Sequence, residues 1–368
     1  MIQVEAKLFQ PIRVGNLQLS HRVVLPALTR YRNDDAYVPT DLMAKYYRQR
    51  ASTPGTLLIT EATFIAPKAG GIDNFPGIWS DAQVEAWKKV VDAVHAQGSY
   101  IFLQLVAMGR VALPAILSRP DSPSNPGGPY PFAAPSAISI PTADQSNIPR
   151  PLTHKEILEY IDLYGQAAHN AVHRAGFDGV EIHGGNGCLV DQFIQDVSNK
   201  RTDQWGGSIE NRIRFPLEVI KKVVSTVGPE RTGFRIAPFN TFKGMKMDHP
   251  YPTFAALASF LREAQPHIAY LHVIEPRGPD SSDNGSAYIS GGGYSEAGME
   301  AAEKNGGLVA FGRYFISNPD LPARIKKSIP LTPYDRSTFY APKGTYGYAD
   351  YAFADKESED NYKKVDKL

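Results

Sequence analysis

Short apolar runs alternate along this chain with longer amphipathic stretches. The runs at Val23–Ala27, Thr56–Glu61, Tyr100–Leu105, Asp178–His183, Thr232–Pro238, Ile268–Val273, Ser286–Ser290 and Gly307–Gly312 read as strands. Most are β-branched or aromatic and are bounded by Gly, Pro or polar residues. The segments Asp81–Gln97, Thr153–Ala175 and Ser208–Val227 read as helices; in the first, Val84, Trp87, Val90, Val91 and Val94 fall on one face. Thr153 followed by Glu156 has the form of a capping box, and Ser208–Asn211 is a weaker start signal.

Strands alternating with helices predict a parallel sheet. A closed (β/α)₈ barrel and an open dinucleotide-binding sheet share that alternation. The count of eight, and the absence of Gly-x-Gly-x-x-Gly after the first strand, favour a TIM barrel of α/β class. The expectation is therefore one domain over residues 1–368, with 333–368 as a C-terminal extension. Two stretches break the rhythm. Residues 113–152, rich in Pro, Ser and Gly, are too long for a bare loop after strand three. They read either as a surface excursion or as a lid over the barrel mouth. Residues Glu275–Gly285 form a turn cluster that leaves almost no room for a helix between strands six and seven.

Composition narrows the class. Lys and Arg total 39 against 38 Asp and Glu, a net charge of +1, which argues against a general attraction to nucleic acid or anionic membranes. No run approaches 18 uninterrupted apolar residues, so no membrane span is expected. The lone cysteine, Cys188, cannot form an internal disulfide, and a thiolate-rich metal site is excluded. No secretory signal opens the sequence, and the cytoplasm is the simplest compartment.

Functional residues of a barrel gather at strand C-terminal ends. Strand four ends VEIHGGNGCLVDQF, with His183 closing it and Asn186 following in a Gly-rich turn. Both can donate a hydrogen bond to one ligand oxygen and so stabilise negative charge developing on a carbonyl. Taken alone, a capping histidine and a turn asparagine is the commoner account of such a pair.

The wider string EIHGGNGCLVDQFIQDVSNKRTDQWGGSIENRIRFPLEVI strongly resembles the Old Yellow Enzyme family, in which a strand-ending His and an Asn precede Ser-Asn-x-Arg-x-Asp-x-x-Gly-Gly-Ser-x-Glu-Asn-Arg. The resemblance extends over LFQPIRVGNLQLSHRVVLPALTR, YYRQRASTPGTLLITEATFIAPKAGG, AFGRYFISNPDLPARI and YDRSTFY. Within the family the chain looks most like fungal members, some of which serve natural-product pathways.

The resemblance implies FMN at the C-terminal face of the barrel, and NADPH or NADH as hydride donor. It places Ala27, Leu28 and Thr29 beside the isoalloxazine, with Thr29 on the O4 edge, and Ala62 at the end of strand two. Gln104 would meet the pyrimidine edge and Arg235 the N1–O2 edge, where a fixed cation stabilises the reduced ring. Gly292, Gly293, Gly312 and Arg313 would hold the phosphate. The implied reaction passes hydride from NAD(P)H to the flavin, then to an alkene conjugated to a carbonyl held by His183 and Asn186. A tyrosine five residues after the histidine usually protonates the α-carbon.

Here that place is taken by Cys188. Its thiol is acidic enough to serve but much shorter than a phenol. Solvent could protonate instead, or slow protonation could give a double-bond isomerase, or Cys188 could be a small buried residue with no chemical role. Val106 stands where the family often has a bulky aromatic, which widens the pocket for a larger substrate, and Tyr348 is expected at the substrate. The leading function is thus a flavin ene-reductase acting on a small-molecule enone or enal, with room for a bulky one. A redox-neutral isomerase and a non-catalytic flavin-binding relic are the alternatives. The sequence leaves monomer and homodimer open.

Overall fold

The computed structural model describes residues 6–141, 144, 146–274, 306–355 and 359. Seven parallel strands form its central sheet: β1 (Val23–Leu25), β2 (Leu57–Ile59), β3 (Tyr100–Val106), β4 (Gly179–Gly184), β5 (Thr232–Ile236), β6 (Tyr270–Val273) and β7 (Val309–Ala310). A short piece, Thr63–Phe64, adds to the end of β3. The order runs β6-β5-β4-β3-β2-β1-β7. Neighbours in sequence are neighbours in the sheet, and the last strand pairs with the first through Val309↔Val23 and Ala310↔Val24. A doubly wound sheet would instead reverse its order in the middle. This is the order of a (β/α)₈ barrel. The predicted strand Ser286–Ser290, the turn cluster Glu275–Gly285, Gly292 and Gly293 all lie outside the described residues.

The strands are nearly all buried on both faces because helices cover the outside and side chains fill the inside. The outer layer comprises α1 (Asp41–Arg50), α2 (Asp81–His95), a short α3 (Pro114–Leu117), α4 (His154–His169), α5 (Leu189–Ile194), α6 (Ile209–Val227), α7 (Pro250–Ala264), α8 (Gly312–Ser317) and α9 (Leu321–Lys326). The stripe predicted for α2 is the face it buries. The capping box at Thr153 and Glu156 is present, and Ser80 with Gln83 forms a second one on α2. The helix expected to reach Ala175 is α-helical to His169 and continues as one wider turn, Asn170–Arg174. Among the described residues, no helix is long and apolar enough to cross a membrane.

An antiparallel hairpin, Ile12–Val14 with Leu17–Leu19, closes the floor of the barrel. Its Val14, Leu17 and Leu19 pack with Val24, Leu57, Ile59 and Phe102 from inside the sheet. Aromatic rings occupy the next layer. Gly233 on β5 makes room for one of them: a Cβ there would lie 2.3 Å from the Tyr270 ring. The tyrosine in turn stands 5.7 Å from Phe102, centroid to centroid. Above these rings the interior turns polar, and there the candidate site begins.

After β3 the chain passes through α3 and returns as Ala133–Ala134, which pairs with Arg150–Pro151. Arg119 and Asp73 brace this excursion with a two-pronged ion pair, at 2.6 and 2.9 Å. Arg201 ties its base by donating to the carbonyls of Pro135 and Leu152. The C-terminal segment is strapped to β1 in the same manner. Arg30 donates to the carbonyls of Phe339 and Gly347, and Arg32 to those of Thr338 and Gly344.

Candidate active site

Strand β4 alternates its side chains, so Glu181 and His183 point into the barrel on one face. The chain then turns sharply. Asn186 adopts φ 56° and Gly187 φ 77°, a left-handed pair that asparagine and glycine tolerate best. Helix α5 holds this turn. Asp191 accepts the Gly187 N–H at 2.9 Å, and Gln192 donates to the carbonyls of Gly187 and Met108 at 2.6 and 2.8 Å. The Gln192 side-chain Oε1 also accepts the backbone N–H of Arg110 at 3.1 Å, which joins the loop after β3 to the turn. The Asp-Gln-Phe string in the sequence is therefore the brace behind His183 and Asn186. Burial pushes the Asp191 carboxyl up to about 7.

The register sets four strands side by side: Gln104 beside Glu181, and His183 beside Arg235 beside His272. Glu181 is fully buried; it accepts from Gln104 Nε2 at 2.6 Å and meets His272 Nδ1 at 2.6 Å. Burial works against its charge, but His272, Arg235 and Gln104 outweigh it and hold the carboxyl below its ordinary value. Burial first, with Arg235 adding to it and Glu181 opposing, holds the His272 imidazole below its ordinary value, and a carboxylate can only accept across their 2.6 Å contact. His272 therefore donates Nδ1–H to Glu181. Burial first, and Arg235 next, lower His183 to about 3, so its imidazole is neutral at any physiological pH.

Three nitrogens of this layer have no hydrogen-bond partner although they are buried: His183 Nδ1, Arg235 Nε and His272 Nε2. Buried donors are rarely left so, and their convergence at the barrel mouth marks where a polar ligand belongs. The residues around them fit FMN. Ala27, Leu28 and Thr29 are half-buried at the end of β1, and Arg235 donates to the Ala27 carbonyl at 3.4 Å. Gln104 is clamped by Glu181 through its amide nitrogen, so its carbonyl oxygen is oriented to accept. Gly312, at the start of α8, faces Leu28: a Cβ there would lie 3.4 Å from Leu28 Cδ2. Arg313 follows it, half-buried, with its guanidinium 5.9 Å from the Tyr334 ring centroid. Arg235 on β5 and Gly312 after β7 both meet the end of β1, and Gln104 on β3 joins them through Glu181.

Cys188 is 7 % exposed and shares one apolar cluster with Ala62, Phe64, Phe75, Val106 and Met108. Burial, with a smaller push from Asp191, raises its thiol to about 12. Thiolate is the reactive form, so the native protein should resist alkylation at pH 8. Iodoacetamide followed by mass spectrometry should label Cys188 at least about a hundredfold more slowly than in the urea-unfolded chain, because roughly three pKa units separate it from a free thiol. Labelling at the unfolded rate would place the thiol in solvent and contradict this surrounding.

Tyr348 corrects one expectation. It is fully buried, stacked on Tyr46 with centroids 4.2 Å apart, and faced by the guanidinium groups of Arg30 and Arg32. It has no surface to offer a substrate. Tyr340, at the end of YDRSTFY, is 62 % exposed. It meets Tyr31 edge-on at 5.7 Å, and Tyr31 in turn meets Phe75 of the Cys188 cluster. Sequence reasoning also passed over Glu181, His272 and Asn240. The first two were visible in the alternation of VEIH and YLHV, which puts Glu181 on the same face as His183.

Residues 7–332 match the NADH:flavin oxidoreductase / NADH oxidase family. The chain belongs to that family. It is a flavin oxidoreductase of the Old Yellow Enzyme type, with FMN as cofactor and a nicotinamide nucleotide as reductant. It is 48% identical to a chanoclavine-I aldehyde reductase of Penicillium roqueforti, over 95% of this chain and 96% of that one. It is 43% identical, over 98% of both chains, to a protein of Epichloe festucae var. lolii named a "probable inactive reductase". Among solved structures, an Old Yellow Enzyme from Pichia sp. AKU4542 superposes with a TM-score of 0.85 at 41% identity, covering 95% of this chain and 94% of that one. Morphinone reductase gives 0.85 at 39% identity, covering 97% and 99%.

Proposed function

We propose that this flavin oxidoreductase reduces the C=C bond of an α,β-unsaturated aldehyde or ketone in fungal secondary metabolism. The observation that carries the reading is the neutral, partnerless His183 beside the left-handed Asn186 turn, above the buried Arg235–Glu181 layer. A neutral imidazole and a carboxamide are donors for a carbonyl oxygen. They hold it without transferring a proton and become stronger partners as negative charge grows on it. Withdrawal of charge onto that oxygen makes the β-carbon electrophilic. Bound FMN supplies the hydride chemistry between NADPH and that carbon.

Arg235 supplies the fixed positive charge on the barrel side of the site, and Glu181 keeps that charge in place. Val106 lies buried in the cluster that holds Phe64, Phe75, Met108 and Cys188, and its short side chain in place of an aromatic ring leaves width for a bulky substrate. Residues 113–152 contribute Leu117, Tyr130 and Phe132 to the same apolar cluster, which fits a lid over the substrate. The named substrate of the Penicillium roqueforti relative, an aldehyde, supports an aldehyde here.

Cys188 keeps a second reading open. A thiol raised to about 12 is a slow acid, and a slowly protonated product favours return of hydride and net isomerisation. Stoichiometry separates the two. Over a panel of bulky enals and enones, the proposed reductase oxidises one NADPH per product. Product without NADPH loss would instead make it an isomerase, and no product with any compound would favour a flavin-binding relic.

A further inference from the structure

The loop after β5 brings a residue to the site that no feature of the sequence pointed to. Asn240 lies four residues beyond the end of β5 and is half-buried. Its Oδ1 accepts the backbone N–H of Phe242 at 2.8 Å, and its Nδ2 donates to Asn186 Oδ1 at 2.6 Å. The two ends of a carboxamide are ordinarily hard to tell apart. Here the chain of bonds settles them. A backbone N–H can only donate, so the Asn240 atom facing it is the oxygen. Its other end is then the NH₂ group, and the Asn186 atom that accepts from it is an oxygen as well. Asn186 is left with its NH₂ group to give elsewhere.

We infer that Asn240 is a positioning residue that fixes the amide of Asn186 donor-outward. The inference rests on the reading of Asn186 as half of the carbonyl site and explains how that half is oriented. A free asparagine amide turns over easily and would present oxygen to the substrate oxygen about as readily as it presents N–H. The polarity Phe242 N–H to Asn240, Asn240 to Asn186, removes the wrong orientation before substrate arrives. The site is thus preorganised by a backbone donor two residues beyond Asn240, with no charge added to it. Asn240 itself touches neither substrate nor cofactor in this assignment.

The test is a mutant cycle on the FMN-loaded enzyme, with 2-cyclohexenone as the neutral probe and its Kd read from the perturbation of flavin absorbance. Asn240→Asp keeps an acceptor for Phe242 N–H, so the loop folds, but it can no longer donate and turns Asn186 the wrong way. It should weaken binding about tenfold, the loss of one neutral hydrogen bond. Asn240→Ala merely frees the amide and should weaken binding less, about threefold. In an Asn186→Ala background both substitutions should change Kd by less than about twofold, because nothing is left to orient. Equal losses in both backgrounds would mean a charge or folding effect and would overturn the inference, as would wild-type binding by Asn240→Asp. Should Asn186→Ala alone bind as tightly as the wild type, the carbonyl site itself would be misplaced, a failure distinct from that of Asn240. Melting temperature and bound-FMN content of every variant report folding independently of binding.

Discussion

Replacing His183 by alanine should lower kcat/KM for a conjugated enone by roughly 10²–10³-fold, the usual effect of removing one preorganised donor from a site of developing negative charge. Asn186→Ala should lose a similar factor, and the double variant should lose less than the product of the two, since both donors serve one oxygen. Steady-state kinetics with 2-cyclohexenone and NADPH measure this directly. Losses within about threefold for both variants would remove the pair from the chemistry. The same account fixes the pH behaviour. His183 is neutral above about 3, so its donor capacity does not change between pH 5 and 8. The Kd of the neutral enone should be flat over that range. A histidine at its ordinary value of about 6.5 would put a break in the middle of it.

The second large effect concerns Arg235. It is buried and stands beside His183 and His272 in the sheet, with Glu181 as its nearby anion. Arg235→Met takes away the cation and leaves the Glu181 charge uncompensated. Losing one member of a buried charge pair typically costs about 3–5 kcal/mol. Separately, if the guanidinium stabilises the anionic reduced ring over the oxidised ring by about 1.4 kcal/mol, its loss lowers a two-electron potential by about 30 mV. The bound flavin of Arg235→Met should therefore have a potential lower by about that amount, and FMN should dissociate more readily. Spectroelectrochemistry and the flavin content after gel filtration measure the two effects separately. Companion removal of the anion, Glu181→Gln with Arg235→Met, should recover part of the loss. An unchanged potential in Arg235→Met would place the guanidinium away from the flavin.

What the sequence disclosed follows from how local each feature is. The β4 motif was readable because period-two alternation, a Gly-rich turn and an acidic-amide helix start all sit within one short string. The end of strand two was overextended, since β2 stops at Ile59 and the Glu61 N–H turns to the Tyr47 hydroxyl at 2.8 Å, whereas β3 and β4 run one residue further than expected, to Val106 and Gly184. The neutrality of His183 could not be read, because Arg235 arrives from another strand and burial depends on the whole barrel. The expectation at Tyr348 failed for the same reason. The C-terminal segment has no periodicity of its own, and which tyrosine goes inside is decided by Arg30 and Arg32 at the far end of the chain. Asn240 was invisible because its significance lies in the direction of two hydrogen bonds.

The central claim is that the mouth of this barrel binds a conjugated carbonyl and delivers hydride to its alkene. A single anaerobic turnover tests it most directly. Holoenzyme reduced with one equivalent of NADPH is mixed with 2-cyclohexenone, and flavin absorbance and product are followed together. The account predicts that the flavin reoxidises with formation of one cyclohexanone per flavin, and that His183→Ala slows this step. Reduced flavin that persists in the presence of the enone, or reoxidation without cyclohexanone, would contradict it.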